Sequence, residues 1–205
     1  MKRYQLFPEA QAIEIAKTLA DKAWGQGKAR TSQETGTTKQ NGELLDHPLL
    51  ESIGKRIINH PEISLDVIPL QCHKPKFSRY KNGDRYHKHT DAPWMGSTRT
   101  DLSCTVFFSD PASYDGGELI VNGEAVKGRA GEAIVYDCGS IHEVAEVTEG
   151  QRICAVTWIQ SRIRDAGKRK FISEYRRFVE KLKGQPDMYL EAGRFNSAML
   201  RMWSE

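Results

Sequence analysis

The chain has 205 residues, of which 39% are hydrophobic and 28% charged, and carries a formal net charge of +3. That length suits one domain with a small appendage and can bury most of its apolar surface without disulfides. So small a charge does not indicate affinity for nucleic acid or membranes. No run approaches the roughly 18 apolar residues of a spanning helix, and the N-terminus lacks a charged, apolar, small-residue signal pattern. Cys72, Cys104, Cys138 and Cys154 show no C-x-x-C spacing, and Cys104 and Cys154 lie in apolar runs. Buried free thiols and a cytoplasmic location are expected. No feature specifies an oligomeric state.

In chain order, Pro8 to Trp24 has apolar residues at helical spacing, with Pro near the start and Gly25-Gln26-Gly27 at the end. Lys28 to Gly42 is polar and rich in Thr, Gln and Gly, which predicts a loop or active-site flap. Pro48 to Asn59 reads as a second helix, with Leu49, Leu50, Ile53, Ile57 and Ile58 on its buried side. Both helices are expected to pack on the outside of a sheet.

Strands follow. Ile63 to Leu70, Cys72 to Tyr80 and Arg85 to Asp91 read as strands, with Lys81-Asn82-Gly83-Asp84 as a hairpin turn. Leu102 to Phe108 alternates, and Gly117 to Val121 pairs with Ala125 to Lys127 through Asn122-Gly123. Glu132 to Asp137, Ile141 to Val147 and Arg152 to Gln160 complete the series. After Asp165, Lys168 to Lys183 and Tyr189 to Trp203 read as helices, separated by Gly184-Gln185-Pro186. The expected fold is mainly β: a double-stranded β-helix, or jelly-roll, core with N-terminal helices packed on it over 1–164, and a C-terminal helical extension over 165–205.

Within the strand region stands His89-Thr90-Asp91. About fifty residues later comes His142, and ten residues beyond that Arg152. Residues i and i+2 of a strand share a face, so one short segment supplies two corners of a metal site and His142 a third. Two imidazoles and one carboxylate with open positions are the ligand set of mononuclear non-heme Fe(II). His87 lies two residues before His89 and is expected on the same face. Asp91 argues for His89, because His87 would leave the carboxylate four positions away, over roughly 13 Å of extended chain.

With these residues in this order, the chain resembles the iron(II)- and 2-oxoglutarate-dependent dioxygenases, and more closely the PKHD-type hydroxylases of the prolyl-hydroxylase-like branch. The likeness rests on Phe77-Ser78-Arg79-Tyr80, Arg99-Thr100-Asp101-Leu102-Ser103, Phe108-Ser109-Asp110-Pro111, Tyr114-Asp115-Gly116-Gly117-Glu118-Leu119, Trp158-Ile159-Gln160-Ser161 and the tail from Asn196 to Trp203. Lys39-Gln40-Asn41 and Trp24 to Gly27 match more loosely. The resemblance departs at His87, where the family pattern has a small or non-histidine residue.

The resemblance implies Fe(II) on His89, Asp91 and His142, and 2-oxoglutarate and O2 as cosubstrates. It also implies ascorbate as reductant and hydroxylation of a C–H bond with release of succinate and CO2. Arg152 is implied to hold the distal carboxylate of 2-oxoglutarate, since a guanidinium presents two parallel donors and stays charged when buried. Tyr80 is either a second donor to that cosubstrate or a core aromatic with a wet hydroxyl. Arg99 and Asp101 either contact substrate or pair with each other. The substrate is expected to be a protein residue, prolyl among the candidates. The same chemistry on a small metabolite, or a non-catalytic metal-binding jelly roll, is the alternative. A nucleic-acid demethylase would carry a second arginine six residues after Arg152, where this chain has Trp158. A zinc hydrolase accommodates the ligands but gives Arg152 no purpose.

Overall fold

The computed structural model describes residues 1–26 and 39–204. In chain order the elements are β1 (Lys2–Gln5), α1 (Glu9–Ala20), β2 (Gly25–Gln26), β3 (Lys39–Gln40), β4 (Gly42–Leu44), α2 (Pro48–Asn59), α3 (Pro61–Val67) and β5 (Pro69–Cys72). Then come β6 (Lys76–Lys81), β7 (Arg85–His89), β8 (Trp94–Met95), β9 (Thr98–Arg99), β10 (Leu102–Phe107), β11 (Tyr114–Gly116), β12 (Leu119–Val121) and β13 (Glu124–Val126). The chain closes with β14 (Glu132–Asp137), β15 (His142–Val144), β16 (Val147–Ser161), α4 (Ala166–Glu180) and α5 (Pro186–Trp203).

Two antiparallel sheets face each other. The larger runs β1-β14-β10-β16-β6-β4-β2, with β5 and β11 also paired to the long β16, and the smaller runs β13-β12-β15-β7-β3. Alternation along the large sheet decides which side chains face where. Phe77, Cys104, Val106, Ala133, Val135, Ile153 and Ala155 form one face, where they join Ala12, Leu19, Leu50, Ile53 and Ile57 of α1 and α2 in the main core. The opposite face carries Ser78 and Tyr80 of β6, Ser103 and Phe107 of β10, and Arg152, Cys154 and Trp158 of β16, aligned by the pairings Tyr80 to Arg152, Ser78 to Cys154 and Ser103 to Trp158. A second cluster of Phe107, Ile134 and Tyr136 with Leu119, Val121 and Val126 joins this face to the small sheet. The result is a jelly roll with helices on one outer side, as the sequence predicts.

Local signals carried much of this. α2 begins at Pro48 and ends at Asn59 as expected, with His47 Nδ1 accepting from Leu49 N–H at its start. The Asn122-Gly123 turn between β12 and β13 has φ of 50° and 85°, the left-handed pair a two-residue hairpin loop requires. α1 stops at Ala20, four residues short of Trp24.

Three expectations fail. Residues Ile63 to Leu70 are not one strand: Pro61 to Val67 is α3, with Pro at its first turn and His60 Nδ1 accepting from Ile63 N–H. Ile63 and Val67, four apart, share its buried side, and Ile68 at φ 52° ends it before β5. The Lys81–Asp84 turn closes with Asp84 N–H on Lys81 O at 2.8 Å, but it joins no hairpin. It passes the chain from β6 in the large sheet to β7 in the small one. Of the Lys28–Gly42 loop, residues 28–38 lie outside the described residues, while 39–40 and 42–44 are β3 and β4.

Of the C-terminal helices, α4 docks on α3 and α5 packs on α4. Asp66 of α3 accepts from Ser173 Oγ at 2.5 Å and Tyr4 Oη at 2.9 Å, and pairs with Arg177 and Lys2 at 2.9 Å each. Burial alone would raise its pKa, but these donors outweigh burial and hold it down at about 2.

Candidate active site

β7 and β15 pair so that His89 stands directly opposite His142, and their ring centroids lie 4.1 Å apart. Cross-strand registry thus joins two imidazoles more than fifty residues apart in the chain. The registry is irregular. Val144 stands opposite Tyr86, so β7 uses three steps where β15 uses two, which is a bulge. Tyr86 therefore shares the face of His89 and stacks on it at 3.6 Å between centroids. His87 is exposed. The expectation that His87 faces the site alongside His89 is corrected, because strict alternation fails inside a bulge. What His87 supplies is its peptide oxygen, 2.7 Å from His89 Nδ1.

Asp91 lies beyond the end of β7, so the pair His89 and Asp91 does not sit on one strand as the sequence suggested. Its backbone N–H donates to Cys138 O at 3.3 Å, and its Oδ2 accepts from Ser103 Oγ. His142 Nε2 is 3.6 Å from Asp91 Oδ2. One ligand atom from each of His89, Asp91 and His142 lies within 4.8 Å of the others. His142 Nδ1 lies 2.9 Å from Ser140 O. Both imidazoles thus engage a backbone oxygen through Nδ1, which fixes each ring and leaves Nε2 for a metal. Burial, followed by the neighbouring His142, pushes the His89 pKa down to about 4, so this ring is neutral at physiological pH.

Arg152 is 1% exposed. Its guanidinium lies between the rings of Tyr80 and Phe107, at 5.1 and 4.9 Å, and Nη1 donates to Cys154 Sγ at 3.1 Å. It makes no ion pair among the described residues, and its Nε has no hydrogen-bond partner. Tyr80 faces it across the β6–β16 ladder. Among the described residues, the Asn41 amide, Ser78 Oγ and Trp158 Nε1 are further buried polar atoms without partners. Ser78, Arg152 and Trp158 lie on the same inner face. A buried guanidinium with an unused donor is incomplete without an anion, and a carboxylate is the acceptor that fits.

Arg99 and Asp101 pair with each other, Nε to Oδ1 at 2.9 Å and Nη2 to Oδ2 at 3.0 Å, and both also bind the backbone of Ser161. With Trp94, Arg164 and Arg169 they line a separate surface pocket of about 260 Å³. Sequence reasoning passed over three residues around the site. Ser103 alternates onto the inner wall and binds Asp91, Tyr86 stacks on His89, and Tyr114 lies beside Arg152. Ser103 and Tyr114 stand inside segments that carry the family resemblance, which was the available signal.

A jelly roll with two imidazoles and a carboxylate converging at one point, and a buried arginine on its inner wall, defines a non-heme iron oxygenase that uses an oxo-acid cosubstrate. Residues 75–160 match the 2OG-Fe(II) oxygenase superfamily. The chain is 36% identical, over 88% of its length and 87% of the relative's, to a PKHD-type hydroxylase of Janthinobacterium sp. (strain Marseille). It belongs to the PKHD-type hydroxylases of that superfamily, oxidoreductases that use Fe(II), 2-oxoglutarate and O2. A PKHD-type hydroxylase of Hyphomonas neptunium is 34% identical over 93% of this chain and 92% of its own. Among solved structures, a Pseudomonas putida prolyl-4-hydroxylase shares the fold with a TM-score of 0.56 at 19% identity, covering 78% of this chain and 92% of its own. Streptomyces hygroscopicus HygX with nickel and 2-oxoglutarate bound does so at 0.54 and 11%, covering 78% and 82%. No helix among the described residues is long and apolar enough to cross a membrane.

Proposed function

We propose that His89, Asp91 and His142 hold the iron, that Arg152 and Tyr80 hold 2-oxoglutarate, and that the oxidised substrate is a residue of a protein, with prolyl first among candidates. The observation that carries the ligand assignment is the His89–His142 registry with both Nδ1 atoms engaged by backbone oxygens. When bound, the iron with its cosubstrate supplies reduction of O2, one oxygen atom entering succinate as CO2 leaves and the other entering a substrate C–H bond.

The chain's own part is positional. The two carbonyls orient the imidazoles, and Ser103 donates to Asp91 and keeps that carboxylate turned toward them. Arg152 neutralises the far carboxylate of the cosubstrate in a wall that excludes water. The prolyl reading is supported by the prolyl-4-hydroxylase likeness of the fold. Four free cysteines support a reducing, cytoplasmic setting, and ascorbate is the reductant we expect to keep the iron ferrous.

The test is mass spectrometry of candidate proteins after incubation with Fe(II), 2-oxoglutarate and ascorbate. A gain of one oxygen on a residue, absent with Asp91→Ala, is the expected result. Succinate formation without any protein oxidation, stimulated instead by a small molecule, would overturn the protein-substrate reading.

A further inference from the structure

A cavity of about 560 Å³, larger than the one beside Arg99, lies where α3, α4 and α5 meet the end of β16. No metal ligand and no inner-wall residue lines it. Ile58, Ile68 and Leu200 give it apolar walls. Three guanidiniums reach it from three parts of the chain: Arg162 just past β16, Arg176 on α4 and Arg201 on α5. Apolar walls with a few convergent polar groups, at this size, are the makeup of a small-molecule site.

None of the three guanidiniums has a carboxylate partner among the described residues. The acidic groups of α3 are already engaged, since Glu62 and Asp66 both pair with Arg177 at 2.9 Å. Arg176 is half-buried and held in place, Nε donating to Asn196 Oδ1 at 3.2 Å and Nη1 to Ser64 O at 3.4 Å. Burial lowers its pKa, and no carboxylate counters that effect. In the pocket beside Arg99, by contrast, Asp101 and Asp137 lie against the guanidiniums of Arg99 and Arg169. A fixed, partly desolvated charge without a counter-charge costs free energy, and a bound anion recovers it.

We propose that this cavity binds a phosphate monoester with an apolar body, at a site separate from the iron centre. Such an ester carries about −1.5 to −2 charges near neutral pH and three strong acceptor oxygens, so each guanidinium can engage one of them. A carboxylate, with one charge and two oxygens, is matched by a single guanidinium fork. The apolar body packs on Ile58, Ile68 and Leu200. Bound there, the ester ties α5 to α3 and to the end of β16. The role is binding alone, and no bond of the ester is broken.

The experiment is calorimetry of the full chain in phosphate-free buffer, titrated with phenyl phosphate, inorganic phosphate and benzoate. Phenyl phosphate should bind saturably, and about 10-fold or more tightly than inorganic phosphate, as burial of an aromatic ring requires. Benzoate should bind more weakly than phenyl phosphate. Arg176→Gln should weaken phenyl phosphate by about 10- to 150-fold, the range for hydrogen bonds to a charged group. Arg162→Gln and Arg201→Gln should each weaken it by about two- to fivefold, as exposed charges do. Those two side chains make no hydrogen bond among the described residues, so their loss leaves the fold intact even where Arg176→Gln, which loses two, does not. Arg152→Ala should bind phenyl phosphate as the wild type does.

Absence of saturable phenyl phosphate binding would overturn the proposal. So would inorganic phosphate binding as tightly, with no loss in Arg162→Gln or Arg201→Gln, which means an adventitious ion only. Benzoate binding as tightly as phenyl phosphate would make the cavity a carboxylate site and refute the phosphate assignment. A loss confined to Arg152→Ala would place the phosphate at the inner wall and leave this cavity without a ligand.

Discussion

Replacing Arg152 with methionine should move binding and stability in opposite directions. The guanidinium is buried, flanked by Tyr80 and Phe107, and without an ion pair among the described residues, so in the ligand-free fold its charge is uncompensated. Substituting apolar residues of similar volume for buried charges stabilises proteins by up to about 1–4 kcal/mol, and methionine adapts well to an irregular gap. At about 2–4 °C per kcal/mol for a chain of this size, the ligand-free variant should melt several degrees above the wild type. Its cosubstrate binding should suffer by about 2–5 kcal/mol, the usual loss when one partner of a buried charged pair is removed, or roughly 30-fold to several-thousand-fold. Thermal melts with Mn(II), with and without millimolar 2-oxoglutarate, read both effects at once. The wild type should gain from the ligand by mass action and the variant should not. A variant that melts lower than the wild type without ligand, yet gains as much from 2-oxoglutarate, would refute the reasoning.

Three further outcomes are expected. His87→Ala should retain metal while His89→Ala loses it, because the bulge turns the His87 side chain to solvent; anaerobic iron content of the two variants side by side checks this, and the reverse order would disprove it. Ser103→Ala should lower Mn(II) affinity by about 10- to 100-fold, the usual effect of removing a group that orients a metal ligand, and unchanged affinity would show that Asp91 needs no such support. Asp66, with a folded pKa of about 2 against roughly 3.9 unfolded, contributes stability that is complete above pH 4 and lost as pH falls toward 2. Urea midpoints measured between pH 5 and 2.5 should therefore converge for wild type and Asp66→Asn, and a constant gap would place the acid sensitivity elsewhere.

The bounds of α2 and β14, the Asn122-Gly123 hairpin, the helical character of α4 and the order His89, Asp91, His142, Arg152 were all legible along the chain, because capping residues, turn glycines and hydrophobic period act within a few neighbours. α3 was legible in principle: His60-Pro61-Glu62 is a helix start, but the apolar residues Ile63, Leu65 and Val67 alternate like a strand, and the caps prevailed. Other features had no local signal. Nothing near Lys81–Asp84 says that β6 and β7 part into different sheets. Nothing near His87 says that a bulge will turn it outward, since a bulge exists only relative to the partner strand. Tyr114 acquires its place beside Arg152 through the edge pairing of β11 with β16 and the missing side chain of Gly117. Residue types and their order are properties of the chain. Facing and distance depend on registry between segments more than fifty residues apart, and that registry is set by burying one face of each sheet.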